Sequence, residues 1–172
     1  GAEIIDLGGY SSRPGADEVS PEEEWKRISE ILKFTKKEFP GVLVSIDTFR
    51  AEIAHKACNE GANVINDISA GKLDDELFRE VAYHKVPLIL MHMIGNPQTM
   101  QNETHYENLV AETLYYFSER IGKAREAGII DLAVDPGFGF SKTLEQNYFL
   151  FKNLRHFHLF DVPLLVGISR KS

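Results

Sequence analysis

Six short runs rich in Val, Ile and Leu recur along the chain: EIIDLGG from Glu3, VLVSID from Val42, ANVIND from Ala62, PLILMH from Pro87, DLAVDPG from Asp131 and PLLVGISRK from Pro163. Each is apolar on both faces, as a buried parallel strand must be, and the segments between them carry the helical period of crossover helices. Ser20, Pro21 and Glu23 supply an N-cap, a first-turn proline and a capping acid, after which Trp25, Ile28, Leu32 and Phe39 recur at helical spacing before Pro40-Gly41. Thr104 with Glu107 and Thr143 with Gln146 repeat the capping-box pattern. The first of these predicts a helix whose inner face is Tyr106, Val110, Thr113, Phe117, Ile121 and Ala124, ending at Gly128. Two further helices are predicted, from Thr48 to Gly61 and over residues 74–84.

Strand-then-helix alternation is compatible with an open doubly wound sheet or a (β/α)8 TIM barrel. The runs end in Asp6, Asp47, Asn66, His92, Asp135 and the segment Ser169 to Ser172. An open sheet concentrates ligand groups at one crevice, whereas a barrel brings the carboxyl end of every strand around one mouth. Polar groups at all six ends therefore favour the barrel. A complete barrel needs eight strands and about 250 residues, so residues 1–172 are expected to be a single, incomplete domain carrying about six βα units, the second to the seventh strands.

Composition narrows the class. With 43% hydrophobic and 26% charged residues the chain is globular, and a net charge of −7 lacks the clustered cations of a nucleic-acid binder. No apolar run approaches the roughly 18 residues of a membrane span, so a cytoplasmic protein is expected. The one cysteine, Cys58, reads as a packed helical thiol.

Candidate chemistry sits at the strand ends. Asp47, Asn66 and Asp135 offer acceptors suited to a flat heterocycle with several N–H donors. Thr48 is the better cap for the helix after Asp47, which leaves that carboxylate free, whereas Asp67 is expected to cap the helix that follows it. His92 lacks partners at metal-ligand spacing and reads as a packed histidine, with Met91 and Met93 as core and pocket wall. GFGFSKT lacks the glycine required before Lys142 and is not a phosphate-binding loop. Lys171 and Ser172 stand near a helix start able to hold an anion, and a Schiff-base role for Lys171 is the alternative. No chemistry is assigned to His156 or His158.

Taken in order, IIDLGGYSSRPGA, SIDT, VINDIS, LMHMIGNPQTM, DPGFGF and GISRKS resemble the dihydropteroate synthases along the whole of residues 1–172. The resemblance implies a TIM barrel that condenses 6-hydroxymethyl-7,8-dihydropterin pyrophosphate with p-aminobenzoate, giving 7,8-dihydropteroate and pyrophosphate. It assigns the pterin to Asp47, Asn66, Asp135 and Lys171, with Ile68, Met91 and Gly167 lining the slot. It assigns p-aminobenzoate to Ser12, Arg13, Phe140, Lys171 and Ser172, and catalysis to Asp47, Arg13 and Lys171. It further implies Mg2+ as cofactor, with its ligand in a first loop outside this chain, and a homodimer open to sulfonamide inhibition. Tyr10 stands where the family carries Glu, and Ser12 where Thr is commoner. Two other readings share parts of this pattern: a barrel that transfers methyl from methyltetrahydrofolate to a corrinoid protein, and a noncatalytic barrel fragment.

Overall fold

The computed structural model describes residues 1–11, 17–100 and 102–168. The first five apolar runs form β1 (Ile4–Gly8), β2 (Leu43–Asp47), β3 (Val64–Asp67), β4 (Leu88–Met91) and β5 (Leu132–Asp135). All pair parallel in the order β1-β2-β3-β4-β5. Each strand lies beside its predecessor with no reversal, so the sheet is an arc of a barrel wall and not a doubly wound sheet. Among its described residues the sixth run contributes only a parallel bridge from Val134 to Leu164, with Val134 N–H donating to Pro163 O at 3.0 Å and Leu165 N–H to Val134 O at 2.9 Å. Among the described residues the six expected strands thus become five and a bridge. Among the described residues the last run is paired on one side only, and Leu165, Val166 and Ile168 are exposed.

Among the described residues five helices cover one side of the arc: α1 (Pro21–Glu38), α2 (Ala51–Asn59), α3 (Leu77–His84), α4 (Leu109–Glu126) and α5 (Leu144–Lys152), followed by a 3-10 helix over Leu154–Phe160. Alternate strand residues Val44, Ile46, Ile65, Leu88, Leu90 and Val134 are buried against Ile28, Leu32, Ile53, Leu77 and Phe117 from the helices. Each such side chain contributes about 1.5–3 kcal/mol by leaving water. None of the described helices is long and apolar enough to cross a membrane.

The local caps at both ends of the chain form as expected. Ser20 accepts from Glu23 N–H at 3.3 Å, and Thr143 with Gln146 makes a complete capping box. Phe39, in contrast, is the C-cap of α1 and is exposed. The helix expected from Thr104 begins instead at Leu109, capped by Asn108, whose Oδ1 accepts from Ala111 N–H while Glu112 accepts from Asn108 N–H. Tertiary bonds hold the preceding segment out of the helix: Gln146 Nε2 donates to Thr104 O at 2.8 Å, and Tyr106 OH to Ser141 O at 2.9 Å.

Thr48 is likewise not the cap of α2. Its hydroxyl donates to Glu24 at 2.7 Å, and the first turn of α2 is bound from outside, Ala51 N–H donating to Asp74 at 2.7 Å. Glu24 is fully buried in α1, and the Arg50 guanidinium pairs with it while donating to Val19 O at 2.7 Å. A Cβ at Gly9 would lie 2.6 Å from Glu24 O, so the chain after β1 closes onto α1 only because that residue is glycine. Truncating Glu24 leaves the Arg50 charge without its carboxylate and Thr48 without its acceptor. Glu24→Ala is predicted to destabilise the full-length protein by about 3 kcal/mol in chemical denaturation, and Glu24→Gln, which keeps the Thr48 bond, by less.

Candidate active site

The face of the sheet opposite the helices carries the strand-end polar groups. Asp47 pairs in register with Gly8 on one side and Asn66 on the other. Asn66 Nδ2 donates to Asp6 Oδ2 at 3.1 Å. A Cβ at Gly8 would lie 3.4 Å from Asp47 Oδ2, so glycine leaves that carboxylate its space. Among the described residues nothing donates a hydrogen bond to Asp47, and burial, then Asp6, Asp67 and Glu24, push its pKa up to about 7.

Asp67 is one residue beyond Asn66 and faces the other way, fully buried. It caps no helix. Its carboxylate accepts from Ser69 N–H (2.7 Å), Ser69 Oγ–H (2.8 Å) and Gly71 N–H, organising the turn after β3. Burial outweighs those bonds and raises its pKa to about 6.

Across the arc, Met91 pairs in register with Asp135. Asp135 Oδ1 accepts from Gly137 N–H at 2.8 Å, and Oδ2 lies 3.9 Å from where a Cβ on Gly167 would stand. Burial raises the Asp135 pKa, opposed by the Gly137 bond and Lys142. Gly137 has φ +70° and a Cβ there would fall 2.2 Å from His92 O, so no other residue lets the β5 loop press onto the end of β4. Ile68, Met91, Met93 and Met100 form a separate buried apolar cluster against which Phe49 and Phe140 pack.

His92 is packed, as expected, edge-on to Tyr116 with ring centroids 4.8 Å apart. Lys142 is buried beside it. Its Nζ lies 3.0 Å from His92 Nδ1 and donates to Phe140 O (2.9 Å), Gly137 O (3.1 Å) and His92 O (3.4 Å). Burial, only partly offset by Asp135, lowers the Lys142 pKa to about 7, and burial with the Lys142 charge holds His92 well below the usual imidazole range. Ser141 Oγ accepts from Ile94 N–H and donates to Ile94 O, both at 2.9 Å. The loops after β4 and β5 are thereby joined into one unit.

The structure therefore gathers Asp47 with Asn66, Ile68 and Met91 with Phe140, and Asp135 with Gly167, all at one edge of the sheet. Ser12, Arg13, Lys171 and Ser172 lie outside the described residues. Three groups at this edge were not among the expected site residues. Asp6 carried a strand-end signal, and Phe49 a position two residues past Asp47; Met100 carried no local signal and arrives through the turn at Asn96–Thr99. Tyr10 packs on Phe49 (5.2 Å) beneath the Arg50 guanidinium, and its hydroxyl accepts from Gln98 Nε2 at 2.6 Å.

Residues 1–172 match, over their whole length, the family model described as pterin binding enzyme. The chain belongs to the pterin binding enzyme family. Within it, the chain is 47% identical to the dihydropteroate synthase of Synechocystis sp. and 45% identical to that of Escherichia coli strain K12, each over 100% of this chain. It spans 60% and 61% of those relatives. Among solved structures, a Yersinia pestis dihydropteroate synthase in a sulfonamide drug complex superposes with a TM-score of 0.95 at 40% identity, covering 99% of this chain and 62% of that one. The Xanthomonas albilineans enzyme with 4-aminobenzoic acid gives 0.92 at 38% identity, covering 99% and 60%. The arc is thus part of a (β/α)8 barrel.

The crowding at Asp47 has a measurable sign. Its folded pKa is raised, so the folded state holds the proton more tightly than the unfolded chain, and stability is lost as pH rises from about 4 through about 7. Asp47→Asn is predicted to raise the melting temperature of the ligand-free full-length protein at about pH 8, and the gain should shrink by more than half at about pH 5. A gain that does not change with pH would remove the cost of ionising the buried Asp47 carboxyl as its cause.

Proposed function

We propose that the full-length protein is a dihydropteroate synthase, joining the methylene carbon of 6-hydroxymethyl-7,8-dihydropterin pyrophosphate to the amino nitrogen of p-aminobenzoate. The observation that carries this reading is the combination, at one edge of the barrel arc, of Asp47, Asn66 and Asp135 with the apolar wall of Ile68, Met91 and Phe140. A pterin is flat, with N–H donors along one edge. Carboxylates can accept those donors while methionine and aromatic side chains hold the ring face. The names of the relatives favour the synthase over a corrinoid methyltransferase.

In this reading the pterin donors approach Asp47 and Asp135, relieve the crowding of carboxylates, and draw Asp47 into its ionised form. An arylamine is neutral near pH 7 and pyrophosphate is a good leaving group, so neither a strong base nor a protein nucleophile is needed. The nitrogen lone pair forms the new C–N bond, pyrophosphate leaves with the C–O electron pair, and the nitrogen gives one proton to water. Ionised Asp47 stabilises the positive charge that develops on the methylene. Arg13 is assigned to the departing pyrophosphate with Ser12 beside it, Lys171 to both substrates, and Ser172 to the p-aminobenzoate carboxylate.

Mg2+ is the cation proposed to accompany pyrophosphate, bound largely through phosphate oxygens and water. The resemblance assigns the ion's protein ligand to a first loop outside this chain, and no step above passes through the ion. A cytoplasmic homodimer inhibited by sulfonamides completes the proposal.

Incubating the full-length protein with both substrates and Mg2+ should yield 7,8-dihydropteroate and pyrophosphate, detected by mass spectrometry and a phosphate assay. Absence of p-aminobenzoate-dependent product would overturn the reading. Asp135→Asn should weaken pterin binding more than tenfold in calorimetry, because an amide replaces one acceptor by a clashing donor, at about 1.5–3 kcal/mol per charged hydrogen bond. Unchanged affinity would take Asp135 out of the site.

A further inference from the structure

A second set of convergent ligands lies in the helical layer. Glu80 and His84 are one turn apart on α3, so both project to the same side of that helix, and α2, packed against α3, brings His55 to them. His55 Nδ1 is 2.9 Å from Glu80 Oε2 and 3.3 Å from His84 Nε2. The three ligand atoms all lie within 4.8 Å of one another. Tetrahedral Zn2+ with bonds of about 2.0–2.1 Å to nitrogen and oxygen sets its ligand atoms about 3.3–3.4 Å apart, so small rotations of these side chains suffice.

The surroundings suit a metal as well as the spacing does. Two imidazoles and one carboxylate with an open fourth position are a zinc ligand set. Tyr83 packs edge-on against His84 with centroids 5.0 Å apart, which orients that ring. Arg79 approaches the other Glu80 oxygen, Oε1, at 3.9 Å and leaves Oε2 directed at the imidazoles. His55 is half-exposed, so an ion has a path from solvent.

We propose that His55, Glu80 and His84 form a site for a divalent transition metal of the zinc class, which staples α2 to α3 on the outside of the barrel with water in the fourth position. The site is independent of the reaction proposed above, and its test reads no turnover. Full-length protein stripped with a chelator is titrated with Zn2+ by calorimetry, alongside His55→Ala and His84→Ala, whose exposed or half-exposed side chains leave the core intact. The parent should bind one more Zn2+ per chain than either variant, or bind it about 100-fold more tightly, since loss of a ligand exceeds loss of an outer partner. Zn2+ should raise the melting temperature of the parent and not of the variants. Co2+ should give the visible bands of tetrahedral coordination in the parent alone. Equal Zn2+ binding by parent and variants, or none by the parent, would overturn the proposal.

Discussion

Successive side chains of a strand face opposite sides of the sheet, and in this chain that alternation separates two kinds of strand-end carboxylate. Asn66 and Asp67 are neighbours in sequence, yet Asn66 turns to the open face beside Asp6 and Asp47 whereas Asp67 turns to the helices and is fully buried. In-register parallel pairing then carries the effect across the arc, aligning Gly8, Asp47 and Asn66 on one side and Met91 with Asp135 on the other. A slip of one residue in β3 that brought Asp67 opposite Asp47 would turn Asn66 toward the helices and put a second carboxylate on the open face in its place.

Holding carboxylates together in a partly buried edge is unfavourable for the ligand-free protein. Burial first, and then the neighbouring carboxylates, raise the pKa of Asp47, and no donor among the described residues opposes that shift. Asp67, by contrast, spends its oxygens on Ser69 and Gly71. This contrast distinguishes a carboxylate that shapes the fold from one left available to a ligand. Stability given up at Asp47 is recovered elsewhere, in the helix-facing core and in the buried Glu24, Thr48 and Arg50 network.

Rigidity at the same edge comes from groups that make no direct claim on a ligand. Lys142 gathers the carbonyls of Gly137 and Phe140 and the His92 ring, Ser141 binds Ile94 at both backbone atoms, and Tyr116 OH donates to Ser69 O and Met91 O. Two loops and two strand ends are thus fixed before any ligand arrives, which is the condition for precise orientation at the mouth. Lys142 cannot act as a phosphate lysine because its ammonium is enclosed by these acceptors.

The alternation of apolar runs with helical spacing determined the barrel class and the strand ends, because both depend on periods of a few residues. The caps at Ser20 and Thr143 were legible for the same reason: donor and acceptor are three residues apart. The ordered motifs likewise pointed to Asp47, Asn66 and Asp135, which strand register brings to one end of the sheet. Tertiary structure decided what depends on partners distant in the chain. It moved the start of α4 to Leu109 through bonds from Gln146 and to Ser141, turned Thr48 from a cap into a partner of Glu24, and made Asp67 the anchor of a turn. It also brought Asp6 to Asn66, Met100 to Met91, and His55 to Glu80 and His84. These meetings are set by strand register and helix packing, and a linear pattern carries no record of which distant side chains share a face until the sheet has curved and the helices have closed over it.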